Sequence, residues 1–216
     1  MNLPPHREGR YWLPTPEGAY HAVASVEDTL ERRFLRRLLS LTETPEMADD
    51  FWEECCEGDS PEAVSALLER LWRRGWVQEL AEPRTVTDRP LEEVLPGLLA
   101  GLSDGGGTLL ADPQGFYIAS SGFPHQTAEE LAALSADLLS LHQRHRRLLA
   151  DRLGLETQAW GMIDAGGHSR LGIWPLHIGR HCFALVMTGI PHFNHPHFVD
   201  LVWILTNRYA PSSIPL

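Results

Sequence analysis

The densest chemistry-bearing run in the sequence is Pro191-His-Phe-Asn-His-Pro-His197, which sets His192, His195 and His197 within six residues. Imidazole clusters bind zinc and nickel, and His181 or His168 would enlarge such a set. The spacing matches no standard ligand motif, Pro196 limits how the last two imidazoles converge, and no Asp or Glu stands inside the run. The segment therefore reads as a His-rich loop leading into a helix, and no metal is assigned to it. Gly105-Gly106-Gly107 would suit a phosphate, but it precedes a strand. Its amides therefore lack the helix dipole that holds anions. Ser120-Ser121-Gly122 lacks the G-x-S-x-G of a nucleophile elbow, and Asp112 reads as a turn residue. Cys55 and Cys56 sit among Glu53, Glu54 and Glu57, whose charge raises a thiol pKa and dulls its reactivity. No catalytic residue or cofactor follows from these groups, and the chain is expected not to be an enzyme.

Composition narrows the field further. The 216 residues carry 18 basic side chains, every one an arginine, against 29 acidic ones, for a net charge of -11. Without lysine, Schiff-base catalysis and a lysine-bearing phosphate loop are excluded. So acidic a chain is a poor binder of nucleic acid, which needs cations to displace phosphate counterions. The three cysteines, Cys55, Cys56 and Cys182, form neither a disulfide framework nor a CxxC motif, so a cytoplasmic setting is expected. The first ten residues lack the apolar core of a signal peptide. The longest apolar run, Cys182 to Ile190, is too short to cross a bilayer, so no membrane insertion is expected.

The elements that must position any site divide at the polar, proline-bounded stretch Ala81 to Pro90. Through Pro90 the count is 18 acidic to 11 basic residues, and beyond it 11 to 7. Tyr11 to Val23 reads as a hairpin turning at Pro16-Glu17-Gly18. Ser25-x-x-Asp28 reads as a capping box for a helix through Leu41. Thr44-Pro45 and Ser60-Pro61 mark two more helix starts. Val64, Leu67, Leu68, Leu71 and Trp72 share one face of the last of these, Gly75 stops it, and Trp76 to Leu80 reads as a strand. Three helices and a strand give a small, mainly helical, winged-helix-like domain over residues 1–88. If that domain read DNA, the helix from Pro61 would enter the major groove. However, Arg70, Arg73 and Arg74 lie at its far end and Glu62 at its first turn. Trp12, Trp72 and Trp76, with Trp52, read as packing residues.

Residues 89–216 form a second domain. A helix over Leu91 to Leu102 is followed by a hairpin whose turn is Asp112-Pro-Gln-Gly115. Thr127-x-x-Glu130 is a capping box for a long helix to about Leu153. Three strands follow, near 157–163, 170–176 and 182–188, and then a helix from about Pro196 to Ala210. The class is α+β, in the order α-β-β-α-β-β-β-α. The hairpin Leu109 to Gly122, the Glu/Ala/Leu-rich central helix and Gly172-Ile-Trp-Pro-Leu176 together resemble the roadblock/dynein-light-chain family. PAS, GAF, profilin-like and longin domains also set helices on a five-stranded antiparallel sheet. The roadblock resemblance implies that sheet flanked by helices, dimerisation through the central helix and third strand, and a scaffolding role beside a small Ras-like GTPase.

The central helix supports dimerisation on its own. Its leucines spread over about half the wheel, whereas a helix lying on a sheet needs a stripe of about 100°. Leu131, Leu139, Leu149 and Leu153 are expected to face the sheet. Leu134, Leu138, Leu141, His145 and Leu148, at coiled-coil-like spacing, are expected to form a homodimer interface. Arg144 and Arg147, in the densest basic cluster of this half, are expected to contact an acidic partner surface. The chain thus reads as a non-enzymatic regulator or scaffold that binds a small Ras-like GTPase or its assembly. The alternative is a transcription regulator with an N-terminal DNA reader and a C-terminal sensor.

Overall fold

Thr15-Pro16-Glu17 starts a helix where the sequence suggests a hairpin turn. In the computed structural model, which describes residues 9–46 and 60–210, β1 spans Tyr11–Pro14 and α1 spans Pro16–Val23. Thr15 caps α1 by accepting from the Gly18 amide at 3.2 Å, and proline stands in the first turn, where its missing N–H costs nothing. Gly18 is required for packing: a Cβ there would lie 1.9 Å from the Trp76 carbonyl oxygen. The strand partner of β1 is β2, Val77–Leu80, antiparallel from Tyr11↔Leu80 to Pro14↔Val77.

Helix α2, Leu30–Ser40, is capped by Thr29, not by the Ser25 box. The Ser25 hydroxyl instead accepts from the Glu27 amide, forming a local turn that competes with a helix start. Thr44 is not an N-cap either. It is buried, and its amide and hydroxyl bond the backbone of Arg84, which ties part of the expected linker down. The rest of the helix expected after Thr44-Pro45, with Trp52, Cys55 and Cys56, lies outside the described residues. Helix α3, Pro61–Arg73, begins at Ser60 and ends before Gly75, which has φ +67°, both as the sequence indicates. Of the three helices expected for a winged-helix-like domain the described residues show two, α2 and α3; α1 stands where a hairpin was expected, and the strand after α3 pairs with β1.

The second set of elements is α4 (Leu91–Ala100), β3 (Ser103–Asp104), β4 (Thr108–Ala111), β5 (Tyr117–Ser121) and α5 (His125–Arg146). Helix α5 runs into a π-helical turn, Arg147–Arg152. Then come β6 (Trp160–Ile163), β7 (Ser169–Ile178), β8 (His181–Thr188), β9 (Ile190–Pro191) and α6 (Pro196–Tyr209). Five strands form one antiparallel sheet in the order β5-β4-β8-β7-β6, while β3 and β9 pair separately. Helices flank this sheet, and the α-β-β-α-β-β-β-α order stands with two short strands added.

The sheet buries both faces. Leu109, Ala111, Ile173, Ala184 and Val186 pack with Ala128 and Ala132 of α5. Leu110, Phe183, Leu185 and Met187 are buried on the alternate positions. At the β4–β5 turn Asp112 accepts from the amides of Gln114 and Phe116, and Gly115 takes φ +89°.

By its internal contacts the chain divides into two compact units, one running to Asp88 and resuming at Phe198, the other Arg89–His197. The final helix thus groups largely with the first unit. Trp203 Nε1 donates to the Leu41 carbonyl at 2.7 Å, and Asn207 Nδ2 donates to those of Leu39 at 2.9 Å and Leu41 at 3.2 Å. These bonds satisfy carbonyls at the end of α2 that no further helical turn could serve. Arg84 pairs with Asp200 at 2.7 Å. Among the described residues no helix is long and apolar enough to cross a membrane.

Candidate functional site

Small residues, not leucines, make the line along which α5 meets the sheet. Ala128, Ala132, Ser135 and His142 are its buried positions, and the Ser135 hydroxyl is satisfied by the Ala132 carbonyl at 2.7 Å. Leu131, Leu138 and Leu139 are half-buried shoulders packed against the same core. Leu138, expected in the dimer interface, is half-buried against the sheet core. Leu153, expected to face the sheet, is exposed, because the wider π-helical turn breaks the 3.6-residue period on which that expectation rested.

The other residues expected at an interface are open. Leu134 is 42% exposed, Leu141 37% and Leu148 46%, and His145, Arg144 and Arg147 are exposed beside them. The two flanks of α5 are distinguishable. On one, Gly115 of the β4–β5 turn lies so close that a Cβ would meet Ala133 and Ala136 at 3.3 Å. On the other, Trp160 of β6 donates its indole N–H to His142 Nδ1 at 3.2 Å. Burial, reinforced by the nearby Arg146, pushes the His142 pKa down, which favours the neutral ring able to accept that bond. On the wheel the exposed leucines adjoin the His142 flank. There β6 forms the edge of the sheet with β7 as its partner, and its Met162 and Ile163 are 64% and 71% exposed. An open strand edge beside an apolar helix face is a surface that natural proteins normally blunt.

The other groups with chemical potential take structural places. Gly106 meets the Thr188 carbonyl so closely that a Cβ would lie 2.0 Å from its oxygen, and Gly107 bonds Thr188 through both amide and carbonyl. The glycine triplet thus serves a backbone contact with the end of β8. His195 and His197 stack edge to face, 4.3 Å between centroids, and the His197 amide donates to His195 Nδ1. His197 also packs against Gly101. Among the described residues no three His, Cys, Asp or Glu side chains are grouped to hold a metal ion. Burial pushes the Cys182 thiol up to about 11, away from reactive thiolate. In α3 the arginines are engaged: Arg70 with Glu31 at 3.1 Å, Arg73 with Glu69, and Arg74 at the helix end over the Trp76 ring. The third of the five strands, which the roadblock resemblance implies at a dimer contact, is β6, whereas the residues expected at that contact by number all lie on the helix. Met162 and Ile163 add two consecutive large apolar residues at the sheet edge.

No protein-family model matches the chain, and no curated protein is significantly similar to it. Among solved structures it is similar to a Roadblock/LC7 domain from Streptomyces avermitilis, at 16% identity and TM-score 0.36, covering 52% of this chain and 93% of that one. It is also similar to the gliding protein MglB from Thermus thermophilus, at 19% identity and TM-score 0.36, covering 57% and 93%. For MglB of Myxococcus xanthus the identity is 19% and the TM-score 0.32, covering 55% and 89%. The element order observed from α4 to α6 is the one that the roadblock/dynein-light-chain resemblance implies.

Proposed function

We propose that this chain is a non-enzymatic regulatory or scaffolding protein that forms a homodimer through α5 and β6 and binds a small Ras-like GTPase or its assembly. The observation that carries the reading is the open face of Leu134, Leu141 and Leu148 beside the open edge of β6. Covering three half-exposed leucines and extending a sheet edge both favour association, at roughly 25 cal/mol per Å² of apolar surface removed from water. The GTPase half of the proposal is supported by the family resemblance of the hairpin, central helix and Gly172-Ile-Trp-Pro-Leu176. The DNA-reading alternative draws no support from α3, whose arginines are engaged within the protein.

Two measurements test the proposal. Sedimentation equilibrium of the full chain at micromolar concentration should give a dimer, and a monomer would remove the first half. Titration with a small Ras-like GTPase from the same genome should give binding that differs between the GDP-bound and GTP-analogue-bound forms. Absence of binding to either form would remove the second half.

A further inference from the structure

Three titratable side chains line up where β5 meets the start of α5. The Tyr117 hydroxyl lies 2.6 Å from His125 Nδ1, and His125 Nε2 lies 3.6 Å from Glu129 Oε1. Local structure sets both contacts. Tyr117 opens β5, His125 is the first residue of α5, and Glu129 stands one helical turn later on the same face. The two neighbours use opposite ring nitrogens, so the three groups do not converge on one point as metal ligands must. A carboxylate only accepts, so Glu129 fixes Nε2 as the protonated nitrogen and leaves Nδ1 to accept the phenol proton. A hydroxyl nucleophile, a base within hydrogen-bond reach and a third group that orients the base are the arrangement by which hydroxyls are activated. The Tyr117 ring packs against the sheet core, which holds the nucleophile in place. The contact adds little to stability, because the His125 and Glu129 side chains are 72% and 60% exposed.

We propose that Tyr117 is an acyl-acceptor site, activated by His125 and Glu129, that takes an acyl group from an uncharged activated ester. The proposal goes beyond the regulatory reading and does not depend on it. The phenol oxygen attacks the carbonyl carbon of the donor as its proton passes to His125 Nδ1. Glu129 balances the imidazolium so formed. The tetrahedral adduct then collapses: the bond to the leaving oxygen breaks, the proton moves from Nδ1 to that oxygen, and Tyr117 keeps the acyl group as an aryl ester. Pro124 gives α5 no side-chain cap, so the amides of the first turn, at the positive end of the helix dipole, are left to favour the charge developing on the adduct. Acyl donors fit these surroundings better than phosphoryl donors. Glu129 and Glu130 are exposed there, α5 carries no arginine before Arg144, and the sequence has no lysine, so a phosphate would meet carboxylates and no cation at this end of the helix. Round the helix wheel His125 and Glu129 lie about 120° or more from Leu134 and Leu141, so a partner seated on the leucine face leaves the site open.

The test uses the full chain and p-nitrophenyl acetate. Cys55, Cys56 and Cys182 are replaced by serine throughout, and the absence of lysine removes competing side-chain amines. Peptide mass mapping should find the acetyl group on Tyr117 at least about tenfold ahead of Tyr11, Tyr20 and Tyr209. His125→Gln should slow acetylation of Tyr117 by about tenfold or more, and Tyr117→Phe should remove it. Glu129→Gln should slow it by about threefold and move the acid-side fall of the rate to lower pH, because the imidazolium then lacks its carboxylate. A merely structural Glu129 would leave that profile in place. Melting curves check that each variant is folded, and mapping on the chain with its tyrosines, histidine and glutamate intact gives an answer even if one is not. Acetyl spread evenly over the four tyrosines, or a Tyr117 rate unchanged in His125→Gln, would overturn the proposal whatever the oligomeric state.

Discussion

Arginine is used in two different ways in the two units. In the first it closes backbone. Arg36 donates to the carbonyls of Ala22 at 2.8 Å and Ser25 at 2.6 Å, and Arg32 donates to that of His21 at 3.2 Å, so two arginines of α2 finish the open end of α1. In the second, the four arginines of α5 and its π-helical turn have no carboxylate partner among the described residues. Residue type alone therefore does not locate a functional surface. A guanidinium that satisfies orphan carbonyls belongs to folding, and one left in a cluster at the rim of an apolar face is available for association.

The largest effect should come from the apolar face itself. Replacing Leu134, Leu141 and Leu148 together by Glu should raise the dimer dissociation constant by on the order of a hundredfold or more, read by sedimentation. The melting temperature of the resulting monomer should change little, because these side chains are open. Next comes the folding use of arginine. Arg36→Ala removes two charged hydrogen bonds and should destabilise the chain by about 2–3 kcal/mol in urea unfolding, with dimerisation of the folded fraction unaffected.

A smaller effect concerns acid. Burial, then the charge of Arg32, hold His21 at about 4, below the usual 6.5, while its ring stacks on Trp76 at 3.9 Å. A histidine held neutral stabilises the fold fully above its unfolded pKa. That contribution is lost as pH falls from 6.5 toward about 4, because the unfolded chain then binds the extra proton. Discounted for a ring that is only half-buried, the loss should be about 1–2 kcal/mol. It can be followed by Trp fluorescence, and His21→Phe should flatten the profile while keeping the stack. The smallest effect is the other side of the arginine comparison. Arg144→Ala with Arg147→Ala should change folding stability by under about 0.5 kcal/mol. A larger loss would place these arginines with those of α2.

Local chemistry carried much of the fold. The Asp112 turn, the Ser60-Pro61 start and Gly75 stop of α3, and the three later strands were legible because each is decided within a few residues. Errors arose where two local signals competed or where the period changed. Pro16-Glu17-Gly18 suits a turn as well as a helix start, and Gly18 is there for the approach of the Trp76 carbonyl. Thr127-x-x-Glu130 matches a capping box, yet α5 begins at His125, with the Ala128 amide bonded to the Pro124 carbonyl. On α5 the apolar period pointed to leucines for the sheet contact. Alanine and serine hold that line, because small residues let the helix approach closely and move Leu131 and Leu138 onto its shoulders. The exposed trio was readable all the same, since leucines in excess of one stripe must face something else. The edge position of β6 came only with the family resemblance, because strand order within a sheet is a property of distant pairings.

The sequence by itself determined the main order of elements from α4 onward and the surplus of leucine along the central helix. Each of these depends on neighbours one or two turns away. Only the tertiary structure decided that β1 pairs with β2 and that Trp203 and Asn207 serve the carbonyls of Leu39 and Leu41, placing the last helix largely with the first unit. Those contacts join residues far apart in the chain. What selects them is the need of buried carbonyls and strand edges for partners, which no local pattern records.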